Sequence, residues 1–366
     1  MPVLVNYILM NPLANSSDST NLVAPSAGLN LKIMLLNAEN LFLISDESLQ
    51  ESHLELDEKA WQKLSTSVFD NKPLRKCRAL AKIVQEVNPD IIMLAEVGGS
   101  ESLSNFNRLF LNDRFSTALI EGNSNRNIDV GYLIRKNMGF YFDLVSNKNR
   151  PINFLYAHEK DSLQIGEEES AQIPASHKFS RDVAELHLFT KDRSRPFLLL
   201  LLAHLKSRLD PDGIDANGLE RRQAELQTLV NIYLGFENQW QGKIPIVVAG
   251  DFNGNASQRN TDLEFRAIYD STQLKDVCAL ANLPPESCAT YYQVGRHSHV
   301  EGRQIDYSFL SPAAAPLLLP ESVKIYRYKD HLGQPMDPPS TLDAKSMLPS
   351  DHYPLIFELN NIPVID

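Results

Sequence analysis

The chain has 366 residues, of which 43% are hydrophobic and 22% are charged, a composition typical of a globular protein with a sizeable core. Its 35 Lys and Arg residues are outnumbered by 46 Asp and Glu residues, and the net charge of −11 argues against a broad basic surface for nucleic acid. Three cysteines are too few for a disulfide framework, and no apolar run is long enough to predict an integral membrane segment.

In the first half of the chain, hydrophobic periodicity predicts strands that alternate with helices. The first predicted elements are a strand at 31–36, a helix at 57–69, a helix at 73–87 opened by Pro73, a strand at 91–95 and a helix at 101–112. Strands are then predicted at residues 115–120, 130–134, 140–145 and 152–156. The acidic stretch 159–178 is predicted to be a surface loop.

In the second half, a tight connection predicts that two strands, 180–189 and 198–203, are antiparallel. A long amphipathic helix at 219–240 and a short, fully apolar strand at 245–249 follow. The remaining predictions are a helix at 261–269, an irregular stretch at 275–302, and strands at 304–310, 323–326 and 353–359. This order indicates a layered α/β domain.

The N-terminal residues and the cysteines allow coarser expectations. The first positive charge is Lys32, so residues 1–30 lack the basic region of a signal peptide, and we expect a flexible arm there. A single domain over 31–362 and a cytoplasmic location follow, with secretion by another route left open. Cys77 lies on the apolar face of a predicted helix, which predicts a core position. Cys278 and Cys288 could pair in an oxidising compartment, but separate thiols are the preferred interpretation.

Polar side chains suited to phosphate or metal chemistry follow, or lie within, several predicted strands. Asp251 and Asn253 come directly after the strand at 245–249, and an extended chain would point both to the same side. Open α/β sheets place polar groups in a crevice at this edge. The same residues are also typical of an ordinary turn.

Six motifs share this form and occur in one order: LNAENLF, PDIIMLAEV, AHLKSR, AGDFNG, QIDYSFLS and SDHYPL. With them, the chain resembles the endonuclease/exonuclease/phosphatase superfamily over nearly its whole length, and most of all its bacterial nuclease-like members. The AGDFNG motif with a later SDH is the specific part of the resemblance. The resemblance implies a DNase I-like, two-sheet α/β sandwich with helices on the outer faces.

The resemblance also implies roles for individual residues. It implies a site for Mg²⁺, or Mn²⁺, and oxygen ligands suit these ions. The residues implied in metal binding are Asn37, Glu96 and Asp351. The residues implied in catalysis are His204, Asp251, Asn253, Asp306 and His352, with Asp306 orienting His352. Lys206 and Arg208 are candidates for substrate phosphate, and Arg181 and Asn127 are weaker candidates at the edge of the crevice. His297 and His299 are expected to be loop residues, since no further zinc ligand has suitable spacing.

These observations favour a divalent-metal-dependent hydrolase of phosphoric esters, with nucleic acid as the first choice of substrate. The alternative substrates are a lipid headgroup or a small phosphate ester. A second class of function is a binding protein on an inactive scaffold. That class would be marked by the loss of a catalytic group. The chain retains all six central motif residues, which are Asn37, Glu96, Asp251, Asn253, Asp306 and His352. The oligomeric state stays open.

Overall fold

The chain folds around two six-stranded sheets, as seen in a computed structural model that describes residues 28–165, 173–295 and 299–364. Residues 1–27 of the expected arm, residues 166–172 of the expected acidic loop, and His297 lie outside the described residues. The strands in chain order are β1 Leu29–Leu41, β2 Ile91–Val97, β3 Phe115–Leu119, β4 Asp129–Arg135, β5 Tyr141–Ser146, β6 Val183–Phe189, β7 Leu198–His204, β8 Ile246–Asp251, β9 Lys275–Asp276, β10 Tyr291–Val294, β11 Val300–Arg303, β12 Asp306–Leu310, β13 Leu318–Ile325 and β14 Leu355–Ile362.

The first sheet has the order β13-β14-β1-β2-β4-β3 and the second has the order β5-β6-β7-β8-β12-β9. In each sheet the central pair is parallel, β1 with β2 and β7 with β8, while the outer pairs are antiparallel. The antiparallel pairing of β6 with β7 confirms the prediction made from their short connection. All six residues of β8 are buried, as its apolar sequence predicts.

The inner faces of the two sheets pack together, and helices cover their outer faces. The helices are α1 Glu58–Gln62, α2 Leu74–Val87, α3 Gly99–Phe110, α4 Ala157–Ile165, α5 Leu219–Trp240, α6 Arg266–Ser271, α7 Val277–Leu280 and α8 Leu342–Met347. Apolar residues of α2 and α3 pack on β1 and β2, and those of α5 pack on β7 and β8. The expected two-sheet α/β sandwich is therefore confirmed. Within the described ranges, no helix has the length and apolar character needed to cross a membrane.

The predicted helix at 57–69 is wrong beyond its first turn. The Asp57 side chain accepts the amide of Ala60 and caps α1, but the helix ends at Gln62. The following Ser/Thr-rich stretch instead bonds to Asp46, whose carboxylate accepts the amide and hydroxyl of Thr66 at 3.0 and 3.1 Å. The hydroxyls of Ser65 and Ser67 also accept the amides of Ser67 and Phe69, and local side-chain bonds of this kind compete with helical ones.

Two further predictions around residue 155 are wrong. Residues 152–156 form no strand, because Pro151 has no amide to donate and Asn153 adopts a left-handed φ of 54°. Residues 159–165, predicted as loop, belong to α4, where Glu159 accepts the amide of Tyr156 at 2.7 Å. The stretch 275–302 is also more regular than predicted, because it contains α7 and the β10–β11 hairpin. All three cysteines are buried and free.

Candidate active site

Three neighbouring strands of the second sheet place three polar side chains in one row. His204 at the end of β7 lies opposite Asp251 at the end of β8, and Asp306 at the start of β12 lies on the other side of Asp251. Residues opposite one another project to the same face of a sheet, here the inner face. All three are buried, with exposed fractions of 2%, 1% and 1%. The sequence motifs at 203–208, 249–254 and 304–311 therefore meet in space.

The first sheet supplies Asn37 and Glu96 from the ends of its parallel strands. Asn37 lies beside Ala95 in the β1–β2 pairing, so Glu96 is next to it. The side-chain amide of Asn37 donates to Asp251 Oδ2 at 2.9 Å, a buried bond that joins the two sheets. Glu96 Oε2 accepts the backbone amide of Asn40 at 3.1 Å. The crevice is thus built where the edges of both sheets converge.

His352 comes from the loop that leads into β14. Its Nδ1 lies 2.7 Å from Asp306 Oδ2, so these two side chains, separated by 46 residues, form a buried hydrogen bond. Its Nε2 is 3.9 Å from Asp251 Oδ2 and 3.9 Å from Asp351 Oδ1. At these distances Nε2 makes no direct hydrogen bond to either carboxylate.

Burial and charge move the pKa values of these groups in different directions. Burial, and then the charge of Asp306, raise the pKa of Asp251 to about 7. Burial alone would lower the pKa of His352, but Asp306, Asp351 and Asp251 outweigh it and the pKa lies well above its ordinary value. Burial, followed by the charge of Arg181, holds the pKa of His204 well below its ordinary value. The site thus combines an imidazole whose charged form is favoured, an imidazole whose neutral form is favoured, and a carboxyl group whose pKa is about 7.

The chain turns sharply after Asp251. Asn253 has a left-handed φ of 55°, and its amide donates to Asp251 Oδ1 at 2.8 Å. Its side-chain nitrogen donates to the carbonyl of Leu205 at 3.1 Å, next to the end of β7. The extended alternation expected through Asn253 therefore stops at Asp251, and the AGDFNG motif is both a turn and a part of the crevice.

Backbone crowding explains the glycine of the same motif. Gly250 has a φ of 148°, and a Cβ there would lie 1.8 Å from the carbonyl oxygen of Ala203. Only glycine allows β8 to approach β7 this closely while still aligning Asp251 with His204.

The other predicted residues lie near the crevice with partners of their own. Lys206 Nζ donates to Leu209 O at 2.6 Å, within its own loop. Arg208 forms an ion pair with Asp262 at 3.0 Å and donates from Nε to Asn253 O at 3.0 Å. Asp351 Oδ2 lies 3.5 Å from Lys345 Nζ. Asn127 is exposed, in the loop before β4.

Two residues at the crevice, Arg126 and Ser350, were not among the candidates from the sequence, and Arg181 was only a weaker candidate. Arg126 donates to the side chain of Asn40 at 2.8 Å, and buried Arg181 donates to Leu205 O at 3.0 Å. Ser350 donates its hydroxyl to the carbonyl of Asn37 at 2.7 Å and accepts the amide of His352 at 3.1 Å. Arg126 adjoins Asn127, a weak candidate, but exposed arginines are common and nothing in the sequence distinguishes it.

The donor atoms in the crevice can be compared with the ligands that metal ions prefer. Within the described ranges, the donors of Asp251, Asp306 and His352 all lie within 4.8 Å of one another. However, Asp306 and His352 hydrogen-bond directly, so their nearest atoms are already occupied by each other. Glu96 and Asn37 offer oxygen donors beside this trio, and Asp306 Oδ1 and His204 Nδ1 are buried without a hydrogen-bond partner in the described chain. A hard, oxygen-preferring divalent cation fits this donor set.

The chain matches no protein-family profile and no curated protein sequence. It is similar in structure to truncated TDP2 from Caenorhabditis elegans, with 16% identity and a TM-score of 0.51 over 90% of this chain and 98% of that one. It is also similar to D. rerio TDP2 complexed with a single-strand DNA product, with 14% identity and a TM-score of 0.52 over 90% of this chain and 99% of that one. At these identities the similarity lies in the fold. The chain has a DNase I-like two-sheet α/β sandwich fold, which it shares with these TDP2 structures.

Proposed function

We propose that the protein is a divalent-metal-dependent hydrolase of phosphoric esters. The observation that carries the proposal is the buried set of Asp251, His352 and Asp306, with Asn37 and Glu96 beside it at the converging sheet edges. Burying several ionisable groups together costs free energy of folding, and such clusters are typical of functional sites. The shared fold supports the proposal without specifying the reaction.

Glu96 and Asn37 would hold the Mg²⁺ or Mn²⁺ ion. Asp351, whose Oδ1 lies 3.9 Å from Nε2 of His352, would contact the ion or a water beside it. A bound ion of this kind polarises a phosphoryl oxygen and stabilises charge on the leaving oxygen. The placement of Glu96 at the end of an apolar strand supports this role, because a carboxylate there needs a cation or hydrogen-bond donors.

The chain's own groups would act on the attacking water and the phosphoryl oxygens. Asp251, with a pKa raised to about 7, is suited to accept a proton from water. Nε2 of cationic His352 has a free N–H to donate to a phosphoryl oxygen, while Asp306 holds the ring and its charge. Asn253 uses one N–H for Leu205 O and retains a second for the substrate.

For the substrate, we propose a nucleic-acid phosphodiester. Arg126 and Arg181 supply positive charge at one side of the crevice, which supports an extended anionic substrate there. The single-strand DNA product bound to D. rerio TDP2 makes single-stranded DNA the first substrate to test. The net charge of −11 instead favours a smaller phosphate ester, so a lipid headgroup or a small diester is the competing substrate.

The experiment is an activity panel with Mg²⁺, Mn²⁺ or excess chelator, on single-stranded DNA, plasmid DNA, RNA, phosphoinositides, sphingomyelin and a simple phosphodiester. We expect chelation to abolish hydrolysis and added metal to restore it. Glu96→Gln should weaken metal activation by about tenfold or more, while exposed Glu101→Gln serves as the matched control. Full activity in excess chelator would exclude the metal mechanism, and activity on lipid or small esters alone would exclude the nucleic-acid choice.

A further inference from the structure

The end of β1 contains a bulge at Glu39 and Asn40. Between Asn37 and Leu41, β1 advances by four residues, whereas its partner β2 advances by two, from Ala95 to Val97. Glu39 and Asn40 have left-handed φ values of 51° and 54°, which non-glycine residues rarely adopt. Such a conformation persists only where surrounding contacts hold it in place.

The bulge is linked by hydrogen bonds to the proposed metal and phosphate site. The amide of Glu39 donates to Asn37 Oδ1 at 2.9 Å, and the other end of the same side chain donates to Asp251. The amide of Asn40 donates to Glu96 Oε2 at 3.1 Å. A change in the bulge would therefore turn the amide group of Asn37 and release one oxygen of Glu96.

Two lysines hold the bulge from behind. Lys72 Nζ donates to the carbonyl of Glu39 at 2.9 Å and to its carboxylate at 3.2 Å, and Lys76 Nζ contacts the same carboxylate oxygen at 2.7 Å. The side chain of Lys72 is 1% exposed and that of Lys76 is 9% exposed. The backbone of Lys72 is fixed as well, because its amide donates to Phe42 O and its carbonyl accepts Trp61 Nε1.

We propose that Lys72 and Lys76 are positioning residues for the metal and phosphate site, acting through Glu39. Their two positive charges keep the carboxylate of Glu39 on the far side of β1, where it cannot compete as a ligand. They also hold the bulge in the conformation that orients Asn37 and the Asn40 amide. The nature of the bound ion rests on the proposed function, whereas the lysine–Glu39 contacts do not.

A purely structural role explains these lysines poorly. Burial disfavours the charged form of an ammonium group. Well-packed apolar residues often stabilise a fold as much as a buried ion pair does. Lys72 also makes a hydrogen bond to a backbone carbonyl of the bulge, which an apolar residue could not replace. The hydrogen bond from Lys72 to Glu39 O therefore indicates that the lysines hold a specific backbone conformation and do not simply fill space.

The test uses Lys72→Met, with Lys72→Arg as the conservative variant and Lys82→Met as the control on an exposed position of the same helix. Mn²⁺ binding is measured without substrate, from the electron paramagnetic resonance signal of free Mn²⁺. We expect Lys72→Met to weaken Mn²⁺ binding by about tenfold or more, Lys72→Arg to recover part of the loss, and Lys82→Met to bind as the parent protein does. Binding within about twofold of the parent by folded Lys72→Met would overturn the proposal.

Two additions separate the possible outcomes. If Lys72→Met does not fold, Glu39→Gln keeps the shape of the bulge residue and should weaken Mn²⁺ binding in the same direction; unchanged binding there would overturn the proposal. Hydrogen exchange of the Asn40 amide should be faster in Lys72→Met than in Lys82→Met, and equal exchange would also overturn it. If the parent protein binds no Mn²⁺, the proposed function fails, and hydrogen exchange still decides the role of the lysines.

Discussion

Asp306→Asn and His352→Ala should disable the same step of hydrolysis, because the two side chains act as one unit. Asp306 Oδ2 lies 2.7 Å from His352 Nδ1, with side-chain exposures of 2% and 7%. Asparagine keeps the shape of Asp306 but loses the charge that helps to raise the pKa of His352. The variant should therefore hold the imidazole less firmly and hold its proton less tightly.

The expected size of the effect follows from this contact. A buried hydrogen bond to a charged group contributes about 1.5–3 kcal/mol, so Asp306→Asn should lower kcat/KM by roughly 10- to 150-fold. His352→Ala should lower kcat by about 100-fold or more if the imidazolium binds a phosphoryl oxygen in the transition state. The double variant should be little worse than the poorer single variant, since residues that act as a unit are not additive.

The assay is a double-mutant cycle on kcat/KM, repeated across pH. If cationic His352 is the active form, activity is lost as pH rises through its pKa. In Asp306→Asn, one of the negative charges that raise the pKa of His352 is removed, so that pKa is lower. The loss of activity should therefore begin at a lower pH. Asp276→Asn, another buried carboxyl change in the same sheet, is the control and should leave the profile in place. Additive losses, or an unmoved alkaline limb in Asp306→Asn, would refute the pairing.

Three further outcomes are expected. Ser350→Ala should lower the free energy of unfolding in urea by about 1–3 kcal/mol, because it removes the partner of the Asn37 carbonyl and of the His352 amide. Ser308→Ala is the control and should be nearly neutral, because the buried hydroxyl of Ser308 has no partner among the described residues. If nucleic acid is the substrate, replacing Lys206 and Arg208 should raise KM and flatten its salt dependence, and an unchanged slope would remove both from the phosphate track. Burial raises the pKa of Asp276 to about 6. Between about pH 4 and 6, the carboxyl group is therefore protonated in the native protein but ionised in the unfolded chain. The free energy of unfolding should fall by up to about 3 kcal/mol as pH rises through that window. Asp276→Asn should remove this fall, and a persistent slope would place its origin elsewhere.

The strands that carry the site could be predicted from sequence, because their apolar runs are short and each ends at a polar residue. The stretch 245–249 is predicted to be a buried strand and overlaps the observed strand β8, and the motif residues at the end of β8 are buried together. Periodicity alone does not say which strands are neighbours, however. The register of Asp251 between His204 and Asp306 joins residues far apart in the chain, and only the family resemblance anticipated their meeting.

The contacts that complete the crevice leave no periodic mark in the sequence. The left-handed conformations of Glu39, Asn40, Glu96 and Asn253 interrupt regular strands, so alternation gives the wrong direction for the side chains that follow. The same limitation explains the failed helix prediction after residue 62, where helical spacing was outweighed by bonds to Asp46, 20 residues away from Thr66. Propensity is a local property, and these backbone choices were decided by distant partners.

The geometry of the site and the association of the two sheets depend on the same hydrogen bonds. Asn37 receives the hydroxyl of Ser350 on its carbonyl and donates its side-chain amide to Asp251, so the loop before β14, the strand β1 and the strand β8 are tied at one residue. Each of these groups is buried, and none could lose its partner cheaply. A shift of one sheet over the other would break the Asn37–Asp251 and His352–Asp306 hydrogen bonds, which both join the two sheets. The crevice at the converging sheet edges thus holds the proposed reacting groups by buried hydrogen bonds, which is the support that a preorganised site needs.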